Sequence, residues 1–183
     1  MNTDRLAKYS NMLATATLIL IALMLLSNIA YWLFPQVMNV YGPGFNLTAL
    51  TDSLDAKTQY MPWWQVAGGI ILSSIPLLIL AKGLVALSAL FKLYAEGEYF
   101  APESAQLLGK VGKSVGLWVL ISFVLGPVLS VWITFMRPQG ERLFTISFGP
   151  SDLVALFLAA SVMIVARSLH RACVLARENQ QFV

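Results

Sequence analysis

Four stretches of this chain are too long, too apolar and too free of charge to fold in water, and they constrain everything else. A helix needs about 20 mostly apolar residues to cross a hydrocarbon core of ~30 Å. Leu13 to Phe34 carries no charge and ends in Tyr31, Trp32 and Phe34 before Pro35. A second stretch opens on Trp63 and stops at Lys82, and a third runs from Val115 to Met136 ahead of Arg137 and Pro138. In the fourth, only the 14 residues from Leu153 to Ala166 separate Asp152 from Arg167. It reaches spanning length only if Arg167 snorkels toward the headgroups. Asp152 and Ser151 suit its N-terminus, where they satisfy free backbone N–H groups. The expected spans are therefore 13–34, 63–82, 115–136 and 152–169.

Composition agrees. Hydrophobic residues make up 58% of the 183 positions and charged residues 11%, against about 25% charged in a soluble domain. The expected fold class is all-α, an integral membrane four-helix bundle built as a single membrane domain over residues 1–183. The first span follows a short basic stretch, as a signal peptide would. Its apolar run is too long for that, and no small-residue cleavage site follows, so it reads as a retained helix.

Lysine and arginine orient the spans. The N-terminal tail carries Arg5 and Lys8, the connection between spans two and three carries Lys82, Lys92, Lys110 and Lys113, and the C-terminal tail carries Arg167, Arg171 and Arg177. These are nine of the twelve basic residues; Lys57, Arg137 and Arg142 are the other three. With four spans the nine share one side, which places both termini in the cytoplasm. Tyr31, Trp32, Trp63, Trp64 and Trp132 then form a belt near the outer interface.

Helical patterning continues beyond the second span. From Gln65 to Ala95 the one strong breaker is Pro76, and 31 residues of helix would reach roughly 46 Å. Gly97 suits a left-handed C-terminal cap, and Pro102 with Glu103 suits the start of the next helix. Residues 82–114 thus read as a helical hairpin extended into the cytoplasm, its tip at Glu96–Phe100. The stretch from Arg167 to Gln181 extends the fourth helix in the same direction. The outer loops cover 35–62, with a turn signal at Gly42-Pro43-Gly44, and 137–151. In the latter, Leu143 to Phe148 alternates apolar and hydroxyl residues, a strand or interfacial signal.

Two segments carry a family resemblance: Phe91-Lys-Leu-Tyr-Ala-Glu-Gly-Glu-Tyr-Phe-Ala-Pro-Glu103, and the ending from Ala166 to Val183. Both resemble the bacterial membrane proteins grouped as domain of unknown function 2975, and the resemblance covers nearly the whole chain. It implies four spans in the bacterial cytoplasmic (inner) membrane and no established activity. Family members often sit beside a small helix-turn-helix regulator gene, which implies a DNA-binding protein as a partner of the membrane protein.

The chemistry-bearing residues are few. One cysteine, Cys173, and one histidine, His170, supply neither a disulfide, nor a metal cluster, nor a nucleophile with its base. Catalysis, a metal, a cofactor and direct nucleic-acid binding are not expected. Gly112-Lys113-Ser114 looks like the end of a phosphate loop, but Leu107 stands where that motif needs glycine. Gly109, Gly112 and Gly116 share a helix face suited to close packing, within the chain in preference to a homo-oligomer. Pro76 and Pro127 are expected helix kinks. Asn28 is the most polar side chain of the first span, and no Asp or Glu lies inside any span, which counts against proton coupling.

The expected functional surface is the hairpin tip, where Phe91, Tyr94, Glu96, Glu98, Tyr99, Phe100 and Glu103 would dock a basic protein partner. For Phe91 and Phe100 a packing role is favoured, and for the glutamates a docking role. The expected function is an interaction or signalling membrane protein, and the alternative is a small transporter or channel subunit.

Overall fold

The computed structural model describes residues 3–35, 37, 61–98, 101–138, 142, 144–146 and 148–180. Its elements are four helices: α1 (Thr3–Leu33), α2 (Trp63–Ala95), α3 (Pro102–Thr134) and α4 (Pro150–Gln180). There is no strand among the described residues. The expected turn at Gly42-Pro43-Gly44 lies outside them. Leu143–Phe148, which carries a strand signal, holds neither helix nor strand at its described residues.

All four helices are long and apolar enough to cross a membrane. Their surfaces suit one. In the most apolar window of α1, α2 and α3 only 22% of residues are buried within the protein, and in α4 only 11%. The exposed remainder includes Leu23, Leu26, Val124, Phe157 and Ile164, a concentration that water does not tolerate on a monomer. Every helix also outruns its expected span. α2 and α3 have 33 residues each, about 50 Å at 1.5 Å per residue. Polar ends such as Arg5 and Lys8 on α1 continue the helix because long straight side chains cost it little. Pro76 and Pro127 lie within helices that continue on both sides of them.

Contacts within the chain gather into two compact units. The first holds Met1–Ile21, Ile79–Trp118 and Pro150–Val183. In it α2 and α3 pack closely where Gly83 meets Ser114, and Ser88 Oγ donates to Ala14 O of α1 at 3.0 Å. The second holds Ala22–Leu78 and Val119–Gly149. Its core is Trp32, Leu129 and Ile133, with Val66, Ile70 and Leu72 against them.

The second unit is joined by polar side chains that find partners on other helices. Asn28 Nδ2 donates to Ser74 Oγ at 3.1 Å, and four residues on, Trp32 Nε1 donates to Ser73 Oγ at 3.2 Å. Gln65, 1% exposed, donates through Nε2 to Trp132 O at 2.7 Å and Ile133 O at 3.1 Å. Those carbonyls belong to the last turn of α3, where a helix leaves its C=O groups without helical donors. Trp132 Nε1 returns a bond to Gln65 O at 2.9 Å. The α2 N-terminus and the α3 C-terminus are thereby tied to each other.

Candidate docking surface at the α2–α3 turn

The described residues on either side of the α2–α3 connection are held by specific backbone and side-chain bonds. Gly97 adopts φ +88°, a left-handed conformation that costs a β-carbon-bearing residue energy. Gly97 N donates to Tyr94 O at 3.2 Å and Glu98 N to Leu93 O at 3.0 Å. This bond pair is a Schellman cap, which satisfies the carbonyls that α2 would otherwise leave open. α3 then begins at Pro102, whose missing N–H costs nothing in a first turn. Ser104, fully buried, closes the connection by donating from Oγ to Glu98 O at 2.9 Å, while its N–H meets Ala101 O at 3.0 Å. Among the described residues, backbone and side chain together tie Glu98 to the first turn of α3.

Upon it Glu96, Glu98 and Glu103 are exposed, whereas Phe91 and Tyr94 are half-buried. Tyr99 and Phe100 lie outside the described residues. Beside the turn, α2 and α3 part to form an open cleft of about 400 Å³ lined by Ala89, Lys92, Leu93, Glu103, Gln106, Leu107 and Lys110. Sequence reasoning overlooked this cleft. Lys92 and Lys110 served there as orientation signals. The spacing of Lys92 before Gly97 and of Gln106 and Lys110 after Pro102 would have placed them on facing turns. The surface is thus acidic at the tip and basic along the cleft, with Glu103 common to both.

The glycine stripe and the C-terminal candidates lie elsewhere in the same unit. Gly109, Gly112 and Gly116 all face α4: Gly109 opposite Ala166, Gly112 against Met163 and the Ala159 carbonyl, and Gly116 opposite Ala159. Cys173 is buried, and Arg167 and His170 are exposed. Among the described residues no three of His, Cys, Asp and Glu gather closely enough to hold a metal ion.

The chain belongs to the family described as protein of unknown function (DUF2975), which matches residues 4–183, essentially all of it. No curated protein and no solved structure matches the chain.

Proposed function

We propose that this member of the family is a membrane-anchored docking protein, and that it engages a soluble protein through the α2–α3 turn. The observation that carries the proposal is the double closure of that turn, by the Gly97 cap and by Ser104, around glutamates that remain exposed. Groups held on a rigid base recognise a partner at lower entropic cost than groups on a free loop. The grouping of most lysines and arginines in the two tails and the α2–α3 connection supports a cytoplasmic position for the turn and both termini, and the family resemblance supports a bacterial inner membrane. Exposed carboxylates at the tip favour a basic partner, steering its approach with a strength that falls as salt rises. A small helix-turn-helix DNA-binding protein fits that description. Catalysis, a cofactor and direct nucleic-acid binding form no part of the proposal.

A transporter or channel subunit is the weaker alternative. It would use Asn28 in a wet path, whereas Asn28 is buried and donates to Ser74.

Photo-crosslinking from position 106, exposed beside the turn, in native membranes tests the docking proposal. A small basic DNA-binding protein should be captured, and Glu96→Gln with Glu98→Gln should reduce its yield several-fold at low salt. Adding Glu103→Gln should reduce it further. Undiminished capture by the double variant at low salt would show that the turn has only a structural role.

A further inference from the structure

We infer that the described residues of 142–148 re-enter the bilayer as an extended strap on α3, with Phe144, Ile146 and Phe148 facing lipid acyl chains. Three contacts set its course. The Arg142 guanidinium lies 5.1 Å from the centre of the Phe135 ring. Thr145 N donates to Ser130 Oγ at 3.1 Å. Phe148 meets Phe123 edge-on, with ring centres 5.7 Å apart. As the strap advances from 142 to 148, its partners on α3 recede from 135 to 123. Twelve residues of helix span about 18 Å, and six residues of extended chain reach about 20 Å. The described residues 142, 144–146 and 148 therefore follow α3 in the antiparallel sense.

Its depth follows from α3. The helix ends at Thr134, so Phe123 lies about 16 Å inside that end. Phe123 belongs to the uncharged run between Lys113 and Arg137, the part of α3 that must occupy the hydrocarbon. The side chains agree with that placement. Phe144, Ile146 and Phe148 are 66%, 60% and 49% exposed, while Thr145 between them turns toward α3 and is half-buried. Phe123, in contact with Phe148, is itself exposed, so one apolar surface passes from helix to strap. Acyl chains that cover α3 cover the strap as well.

Non-helical backbone survives at such depth only where protein meets its polar groups. Ser130 does this for the Thr145 N–H. It has no exposed surface, and its own hydroxyl proton goes to Pro127 O at 2.8 Å.

Spin-label accessibility tests this placement. Single cysteines at 142, 144, 146 and 148, on a Cys173→Ala background, are labelled and the full chain is reconstituted in lipid vesicles. Power saturation is then compared with oxygen, which partitions into lipid, and with a water-soluble nickel chelate. Expected is high oxygen and low nickel access at 144, 146 and 148, with depth increasing in that order, and high nickel access at 142. Nickel access at 146 equal to that at 142 would put the strap in water and overturn the inference. Low access to both reagents at 144 and 146 would mean that protein, such as a second copy, covers this face, and would overturn it equally. Ser130→Ala supplies a second readout, because losing the Thr145 anchor should raise nickel access at 146 at least two-fold while α3 retains its helicity.

Discussion

In the unit built around Trp32 and Trp132, glycines are sockets for the largest side chains available. In the unit that carries the α2–α3 turn, glycines are places where helices touch almost directly. A β-carbon at Gly68 would fall on the Trp132 ring, and one at Gly69 on the Trp32 ring. Neighbouring glycines of α2 thus receive an indole each, one from α3 and one from α1. At Gly83, Gly112 and Gly116 the nearest groups are instead Ser114, Met163 with the Ala159 carbonyl, and Ala159. The difference shows how a chain packs without water to drive its helices together. Lipid is as apolar as leucine, so association rests on close contact and on hydrogen bonds. One unit uses indoles that bring a hydrogen-bond donor with them, and the other uses small residues that let backbones approach.

If the indole sockets are the firmer device, filling one should have the largest effect. Gly68→Ala cannot be absorbed by a ring movement, because Trp132 Nε1 is bonded to Gln65 O and the ring is edge-on to Trp64 at 5.8 Å. Overpacking a core usually costs 1–3 kcal/mol, and alanine's helix propensity returns up to ~1 kcal/mol. For a pinned aromatic ring we expect the upper end of that cost, a net loss of about 2 kcal/mol once the propensity gain is subtracted, in reversible unfolding in mixed micelles. Stability equal to the parent chain would show that the socket is loose.

Gln65 comes next. Its amide supplies donors to two carbonyls at the end of α3, while its Oε1 is buried without a hydrogen-bond partner. Gln65→Leu removes both bonds and also removes the unpartnered acceptor. At about 1 kcal/mol net per bond, offset by the relief of Oε1, the expected loss is ~1–2 kcal/mol. Gln65→Glu should cost more, because an ionised carboxylate has no proton to offer those carbonyls. A smaller loss for glutamate than for leucine would refute the donor role in the same unfolding assay.

How much of this was legible in the sequence follows from what a bilayer does to patterning. Span positions come from gaps in charge, and charge retains its meaning in lipid. The α2–α3 turn was legible because Gly97 and Pro102 obey backbone rules that no solvent alters. Helix pairing was not. In water an apolar stripe marks the buried face of a helix, but in lipid both faces are apolar, and nothing in Gly68-Gly69 announces an indole. Gln65 stood out only as the start of an unbroken helical stretch, because its partners are backbone carbonyls 67 and 68 positions away. The cleft was hidden for another reason: Lys92 and Lys110 already served the argument for orientation. The alternation at 143–148 carried a strand or interfacial signal, whereas the described residues there form no strand, and their contacts with Phe135, Ser130 and Phe123 had no trace in the pattern.

The smallest effects, and the sharpest contrast between the two units, are expected along Gly109, Gly112 and Gly116. These three share one face of α3 against α4, yet their surroundings differ. A β-carbon at Gly112 would sit 2.9 Å from Met163 Cγ and 3.0 Å from the Ala159 carbonyl oxygen. Methionine can yield, but a helix carbonyl cannot, so Gly112→Ala should lose roughly 1 kcal/mol or somewhat more. At Gly109 and Gly116 the nearest atoms are the β-carbons of Ala166 and Ala159, each at 3.7 Å, an ordinary contact distance. There alanine brings its helix propensity without a clash, and the net change should lie between no effect and a gain of about 0.5 kcal/mol. The series separates two views of a small-residue stripe. If all three positions require glycine, every substitution should destabilise and the stripe acts as one seam. If only direct backbone approach matters, Gly112 alone should respond in the mixed-micelle assay, with Gly109→Ala and Gly116→Ala indistinguishable from the parent chain or slightly above it. The geometry predicts the second pattern, and equal losses at all three positions would count against the helix spacing described for this unit.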